Sequence, residues 1–109
     1  MCAGRSEKIE VFQTRRFGKA LDKLPHAALV SVENEIELII ENPLLGELKK
    51  GDLNYLRVHK FHLGKQLVLL GYSWVEQRLA LYLLSLASHE NFYDEMKKAR
   101  KADLSLTNT

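Results

Sequence analysis

The spacing of apolar residues changes after residue 43, and this change restricts the fold more than any other feature of the chain. Before it, two segments carry apolar residues three or four positions apart, as one face of a helix requires. The clearer of the two is Ala27 to Glu41, whose apolar side is formed by Leu29, Val32, Ile36, Ile39 and Ile40. After it, three β-rich runs at 55–61, 66–74 and 79–86 are separated by loops short enough for hairpins. The sequence therefore predicts two helices followed by three antiparallel strands.

The beginning of the chain predicts a strand that leads into the first helix. Apolar residues at 9, 11 and 12 indicate a short strand, and Thr14 is placed to cap the helix that follows. Pro25 ends that helix and begins the next, because proline disfavours helix in the residue before it and is tolerated in a first turn. Two helices joined this tightly are expected to fold back as a hairpin.

The end of the chain predicts a last helix. Ser88 is placed to cap a helix from Glu90 to about Lys101, and the polar residues 102–109 are expected to be frayed. The resulting order, β-α-α-β-β-β-α, is typical of an α+β fold. Its helical hairpin would pack on one face of a mostly antiparallel four-stranded sheet. At 109 residues the chain fits a single domain, 1–109, with an ordered core of about 8–101.

The run Tyr55 to Phe61 places basic residues on one side of the predicted sheet. Side chains alternate along a strand, so Arg57 and His59 share one face while Leu56 and Val58 share the other. We expect the apolar side to face the helices. Arg57 and His59 would then point outward together on a sheet surface left free for function.

Composition limits the class of protein. An apolar fraction of 46% and a charged fraction of 28% are ordinary for a folded globular chain. The one cysteine, Cys2, excludes an internal disulfide and predicts a reducing compartment. The leader lacks the apolar run of a signal peptide, and no apolar stretch reaches the ~18 residues of a membrane span. A cytoplasmic protein that does not contact membrane is therefore expected.

Charge is distributed unevenly along the chain. The net charge is only +2, but Lys49 to Lys65 contains five lysines and arginines against one acid, whereas Glu33 to Glu47 contains five glutamates and no lysine or arginine. A basic sheet region of this kind is compatible with a nucleic-acid partner. The four histidines and single cysteine lack metal-ligand spacing, and no glycine-rich phosphate loop or nucleophile elbow is present. Neither a metal nor a cofactor is expected.

Several segments resemble the RelE/ParE superfamily, the toxins of bacterial type II toxin-antitoxin systems. They are Leu45-Gly46 through Lys50-Gly51-Asp52-Leu53, Tyr55-Leu56-Arg57-Val58, Gln66 to Tyr72, and His89-Glu90-Asn91-Phe92-Tyr93. The likeness extends from about Ile9 to Lys98 and is strongest to the branch with the His-Glu-Asn-Phe-Tyr ending. It implies a toxin that is neutralised by a cognate antitoxin and inhibits translation by cutting mRNA on the ribosome.

The same resemblance implies site residues. Relatives of the RelE kind carry basic residues on the second to fourth strands, an Arg or His after the last strand, and a nearby Tyr. Carried onto this sequence, the pattern predicts these catalytic residues: Arg57, His59 and His89. It predicts these RNA contacts: Lys50, Lys65, Gln66 and Tyr93. Gln66, or Lys65 by a one-residue slip, stands where many relatives have Arg, and His89 also replaces a frequent Arg.

Metal-independent RNA cleavage needs the residue types named here. The 2′-hydroxyl must lose a proton, the phosphorane must be stabilised, and the leaving oxygen must gain a proton. Histidine suits both proton transfers because its ordinary pKa of about 6.5 lies near working pH. We therefore expect His89 and His59 to share acid and base duties. Arg57 and Lys50 would hold the phosphate, and Tyr93 would orient a base.

Other interpretations of these residues stay open. His59 is equally typical of a solvated surface residue, His89 of a helix cap, and Tyr93 of helix packing, with Phe92 expected in the core. Two further functions are compatible with the resemblance. One is a ParE-like inhibitor of DNA gyrase without nuclease chemistry, and the other is a degenerate toxin that retains only antitoxin binding.

Overall fold

A computed structural model of the protein describes residues 9–107. The leader Met1 to Lys8, with Cys2, and the last two residues lie outside the described part. The strands are β1 (Glu10–Gln13), β2 (Glu47–Leu48), β3 (Arg57–Leu63), β4 (Gln66–Val75) and β5 (Ala80–Ser88). The helices are α1 (Arg15–Asp22), α2 (His26–Glu41) and α3 (His89–Thr107). Short 3-10 turns lie at Gly51–Leu53 and Glu76–Arg78.

The strands form one five-stranded sheet in the order β1-β5-β4-β3-β2. β1 pairs parallel with β5, and all other neighbours are antiparallel. The α+β class and the three antiparallel strands are confirmed. The predicted count of four strands is one too low, because β2 has only two residues and is too short to show a strand periodicity. β3 begins two residues later than predicted, since Leu53 and Leu56 close a turn before it.

The predicted start of the helical hairpin is confirmed in detail. The Thr14 hydroxyl accepts a hydrogen bond from the Phe17 amide at 3.0 Å, which satisfies one of the amide groups left unpaired at a helix start. The same hydroxyl donates to the Leu84 carbonyl at 2.7 Å and so ties α1 to β5. Pro25 occupies the cap position of α2. As predicted, α1 and α2 pack on one face of the sheet.

Helices cover both faces of the sheet. On the face under α1 and α2, here the hairpin face, these residues form one buried cluster: Phe17, Val32, Ile39, Val68, Leu70, Tyr72, Leu81, Leu83 and Leu86. On the opposite face, here the α3 face, these residues form a second: Leu53, Leu56, Val58, Leu69, Leu84, Phe92 and Met96. The prediction of an uncovered sheet face is therefore wrong. The last helix supplies the apolar side chains that cover it.

α3 is longer than its sequence pattern indicates. It begins at His89, one residue before the predicted start, and continues to Thr107 instead of ending near Lys101. The extension is held by two contacts. Asp103 is fully buried and receives hydrogen bonds from Arg16, while the Thr107 carbonyl accepts a bond of 2.7 Å from Arg78. Residues 102–107 are therefore helical, and the expected fraying is wrong for them.

Two glycines let aromatic rings approach the backbone. A Cβ added to Gly71 would lie 2.6 Å from Cζ of Phe92, so only glycine allows α3 to sit this close to β4. A Cβ added to Gly46 would lie 2.9 Å from the ring of Tyr72. The Tyr72 hydroxyl accepts a bond from the Gly46 amide at 2.8 Å and donates to the Pro43 carbonyl at 2.6 Å. This fixes the chain between α2 and β2. Across residues 9–107, no helix is long and apolar enough to cross a membrane.

Candidate functional site

Arg57 lies on the hairpin face of β3, directly opposite Tyr72 of β4. Its Nη1 donates to the Gly46 carbonyl at 2.9 Å and to the Leu44 carbonyl at 3.4 Å. The loop that accepts these bonds is the one that Tyr72 fixes. Arg57 also lines a groove of about 720 Å³ with Trp74. The guanidinium is thus held at the end of the sheet where β3 begins.

His59 lies on the same face and is tied to α2. Its Nε2 lies 2.6 Å from Oε1 of Glu35, and its side chain is only 15% exposed. Its ring stacks on that of Phe61, with the two ring centroids 5.6 Å apart. The prediction that Arg57 and His59 share an outward sheet surface is wrong. They do share a face. However, α3 covers the side of β3 that carries Val58, and the hairpin covers the side that carries Arg57 and His59.

The structure does not bring Arg57 and His89 together. Arg57 pairs with Tyr72, whereas Ser88, the residue before His89, pairs with Val68 four positions back along β4. Four strand residues and two strand spacings separate the two backbones by ~16 Å. The Arg57 head group also binds loop carbonyls. The predicted grouping of Arg57, His59 and His89 around one phosphate is therefore wrong.

A different set of cations gathers on the α3 face. We call Lys49, Lys50 and Lys60 the lysine cluster. Lys60 stands opposite Leu69 of the α3-face core, and the charges of Lys49, Lys50 and Lys60 all act on Glu47. Nζ of Lys49 lies 2.9 Å from Oε1 of Glu47. Lys49 therefore pairs with a carboxylate at the β2 edge of the sheet, and the charges of Lys50 and Lys60 also act on it.

Hydrogen bonding and charge shift the pKa values of the pair inside this cluster. The hydrogen bond and then the charge of Lys49 lower the pKa of Glu47, with Lys60 and Lys50 adding smaller effects. The hydrogen bond to Glu47 raises the pKa of Lys49, assisted by Tyr93 and opposed by burial. Both residues are therefore charged at neutral pH, and Glu47 occupies a position where these cations attract an anion.

Tyr93 and His89 extend the lysine cluster along α3. Nζ of Lys49 lies 5.6 Å from the centre of the Tyr93 ring, and that ring packs edge-on against Phe92. His89 is the first residue of α3 and is exposed. A spacing of four residues places His89 and Tyr93 on one side of the helix, with Cβ atoms ~6 Å apart. The predicted residues Tyr93 and His89 thus lie in one region with Lys49, and the predicted Lys50 follows Lys49 in the chain.

Lys65 and Gln66 lie at the turn between β3 and β4, and both are exposed. Gln66 pairs with Leu63 and shares a pocket of about 150 Å³ with Ser88. This turn is at the end of the sheet where α3 begins, away from Arg57. The RNA contacts predicted for both residues stay predictions.

The prediction missed Lys49, Lys60 and Glu47. Alternation along β3 already placed Lys60 opposite to His59, so the signal was present in the sequence. The sequence does not predict a site at Lys60, because the side of β3 that carries Lys60 is expected to lie under the helical hairpin. Glu47 was counted only as part of an acidic stretch, since nothing in the sequence brings the two-residue β2 beside Lys60.

This region offers phosphate-binding cations, the aromatic ring of Tyr93 and the imidazole of His89. Lysine and tyrosine can hold a phosphate and contact a base, and histidine can transfer a proton near neutral pH. Among residues 9–107, no group of three or more His, Cys, Asp or Glu side chains is arranged to hold a metal ion.

The sequence matches a family model over residues 11–97, and the model describes a ParE-like toxin of type II bacterial toxin-antitoxin systems. The chain belongs to this family. The match confirms the RelE/ParE resemblance and makes the protein a type II toxin. No curated protein matches the sequence.

Solved structures of RelE toxins share the fold of this ParE-like toxin. The RelBE2 toxin-antitoxin complex of Mycobacterium tuberculosis aligns with a TM-score of 0.63 at 19% identity, covering 74% of this chain and 98% of that one. The isolated Escherichia coli RelE toxin aligns at 0.60 and 15% identity, covering 84% and 98%. The archaeal RelE-RelB complex of Pyrococcus horikoshii aligns at 0.54 and 20% identity, covering 73% and 93%. At such identities the likeness shows the fold.

Proposed function

We propose that this toxin is a metal-independent mRNA endonuclease that acts on the ribosome and inhibits translation. The observation that carries the proposal is the position of Tyr93, within cation contact of Lys49 and one helical turn from His89. The lysine cluster would hold the scissile phosphate, and Tyr93 would contact a base. His89 is exposed and has room to transfer a proton to or from the reacting ribose or the leaving oxygen.

Glu47 has a part in this proposal because RNA must compete with it for the lysines. Its carboxylate holds Lys49 in place, and an incoming phosphate would exchange for it. The catalytic roles predicted for Arg57 and His59 stay predictions, since those side chains bind the loop and α2 on the hairpin face. Mapping of mRNA cleavage tests the roles of Arg57 and His59 together with those of Lys60 and His89.

We further propose that a cognate antitoxin neutralises the toxin. Support comes from the RelE-type toxins of similar fold that have been solved together with their antitoxins. A disordered segment that folds on binding can cover a large surface of such a small domain. The basic region of this toxin favours an acidic segment over the lysine cluster.

Induced expression followed by mapping of mRNA 5′ ends tests the nuclease proposal. His89→Ala is expected to lose cleavage by about 100-fold or more, the usual contribution of a positioned acid or base. Lys60→Ala should lose at least about tenfold, because it removes a cation from the scissile phosphate. Lys101→Ala removes an exposed cation from α3, the helix that carries His89, and should cleave like the unaltered toxin. Arg57→Ala and His59→Ala enter the same assay. Cleavage at the unaltered rate by both Lys60→Ala and His89→Ala would contradict the proposal.

A second function is favoured by one specific observation. His59, one of the two imidazoles predicted to share proton transfer, is paired with Glu35 on the hairpin face and so lies on the opposite side of the sheet from Lys60. A toxin without nuclease chemistry fits that arrangement, for example one that binds DNA gyrase. Purified protein would then block DNA supercoiling while ribosome-bound mRNA stays intact. A degenerate toxin would do neither, and its expression without antitoxin would leave growth unaffected.

A further inference from the structure

β1 is an edge strand, and no other strand among residues 9–107 pairs with its outer side. It is the last strand of the sheet, pairs only with β5, and has all four residues exposed. Val11 and Phe12 point to opposite faces and are 42% and 44% exposed. Natural edge strands usually carry lysine, proline or a bulge that blocks further pairing. The sequence Glu-Val-Phe-Gln of β1 has no lysine or proline; its one charged residue is Glu10, and the strand is four residues long.

Phe12 is part of an aromatic row at this edge. Its ring stacks on Tyr82 of β5 with centroids 5.1 Å apart and planes 19° apart. The guanidinium of Arg78 lies 5.8 Å from the centre of the Tyr82 ring. The stacking orders Phe12 before any partner binds, so less side-chain entropy is lost when its exposed part is covered.

We propose that two copies of this chain associate by pairing β1 with β1 in antiparallel orientation, forming one continuous ten-stranded sheet. The two-fold axis would stand perpendicular to the sheet, so that each face continues across the junction. Residues directly opposite one another in an antiparallel ladder share a face. Side chains of the two copies therefore share a face only in registers that pair even-numbered residues with even-numbered ones and odd-numbered residues with odd-numbered ones. The register centred on Phe12 joins the two aromatic rows.

The charges at this edge are self-complementary. Glu10 is the single ionisable residue of β1, and the exposed Arg15 follows at the start of α1; neither has an ion pair among residues 9–107. In the Phe12-centred register Glu10 lies opposite Thr14 of the second copy, one residue from its Arg15. No like charges face each other. The other sheet edge, β2, is flanked by the lysine cluster and would repel a second copy.

The small size of the contact predicts a weak, reversible dimer. A pair of four-residue strands buries much less than the ~1,200 Å² of a stable interface. Association should therefore depend on protein concentration. β1 and β2 are at opposite edges of the sheet, so the lysine clusters would stay accessible at the two ends of the dimer. The proposal does not depend on nuclease activity.

Sedimentation equilibrium of the full chain over a range of concentrations tests the proposal. The unaltered protein should show a monomer-dimer equilibrium. Phe12→Lys should weaken it by about tenfold or more, because two lysines would face each other where two rings had met. Leu38→Lys is the matched control, since Leu38 is 47% exposed on α2, and it should dimerise like the unaltered chain. Circular dichroism verifies that each variant folds.

Crosslinking identifies the strand and its register. In a Cys2→Ser background, Phe12→Cys places a thiol opposite its own copy and should give a disulfide-linked dimer under mild oxidation, whereas Leu38→Cys should not. A chain that is monomeric at every concentration would overturn the proposal and leave the edge to a strand of another protein. A dimer that Phe12→Lys leaves unchanged would overturn it as well.

Discussion

Single residues decide where the helices of this toxin can lie. Gly71 admits the Phe92 ring to the surface of β4, and Gly46 admits the ring of Tyr72. Tyr72 then holds the loop whose carbonyls bind Arg57. Burial raises the pKa of Tyr72, so its hydroxyl stays protonated and keeps donating to Pro43 at physiological pH. The position of Arg57 is thus a consequence of one glycine, Gly46, and one hydroxyl, that of Tyr72.

Gly71→Ala should destabilise the protein by about 1 to 3 kcal/mol, the usual cost of overpacking a core. The added methyl would lie 2.6 Å from Phe92 and 3.0 Å from Leu56. Urea unfolding measures the loss. Gly18→Ala is the control: its methyl meets only the flexible end of Gln13, at 3.0 Å, and alanine favours helix. A Gly71→Ala variant as stable as the unaltered chain would refute this packing.

Thr14→Ala should cost about 1 to 2 kcal/mol, because the hydroxyl both caps α1 and donates to Leu84. Thr14→Ser retains the hydroxyl and should keep most of the stability. Thermal unfolding of the two variants side by side checks this. Equal losses would mean that the methyl group, and not the cap, matters at this position.

The sequence predicted Thr14 and Phe92 correctly but not the surroundings of His59. A cap and an apolar helix position are local patterns, which spacing along the chain reveals. The pairing of His59 with Glu35 depends instead on which helix covers which face. That choice is made by contacts between residues far apart in sequence, and alternation along one strand leaves it open.

At the scale of elements, α3 is joined to α1 by a buried ion pair. Arg16 binds Asp103 at 2.7 Å and also approaches Glu95 at 3.4 Å, while Glu95 accepts a hydrogen bond from Ser85 of β5. Burial raises the pKa of Asp103, and the hydrogen bond and charge of Arg16 oppose that rise. The last turns of α3 are therefore held in place by the ion pair between Asp103 and Arg16 of α1.

Arg16→Met should destabilise the protein by about 3 kcal/mol at pH 7, because it leaves a buried carboxylate without its cation. The loss should be smaller at pH 4. An acid whose folded pKa is raised contributes most below its unfolded pKa, and that contribution is lost as pH rises through the folded pKa. Denaturant unfolding at both pH values measures this. Arg15→Met, on the exposed side of α1, should change little, and a loss independent of pH would contradict the argument.

The order and type of the main elements were predictable because each long segment keeps one periodicity. The sequence did not predict β2, which has two residues, or the last turns of α3, which carry few apolar side chains. Both depend on tertiary partners. β2 needs β3, and the end of α3 needs Arg16 and Arg78.

For the whole molecule, charge differs between the lysine cluster and α2. The lysine cluster and Lys97 are on the α3 side, whereas Glu33 and Glu37 are exposed on α2. A molecule charged in this way should approach a polyanion with its α3 side first.

RNA binding should weaken with salt in proportion to the lysines involved. For the His89→Ala variant and a single-stranded RNA, three phosphate contacts predict a slope of log K against log salt of about −2. Lys60→Ala should make the slope shallower by about 0.7, and Lys101→Ala should leave it unchanged. Fluorescence anisotropy titrations at several salt concentrations measure both. A slope near zero would argue against the lysine cluster as an RNA surface.

The parallel pairing of β1 with β5 also determines when a newly made chain can become toxic. Thr14 can bond to Leu84 only after 70 more residues have been made, and Arg16 can bond to Asp103 only after 87 more. A ribosome adding about 5 to 20 residues per second needs roughly 4 to 14 s to span the shorter interval. Throughout that time the N-terminal segment has no sheet to join, and the helix bearing His89 and Tyr93 does not yet exist. Synthesis itself thus delays the formation of this surface until α3 has been made.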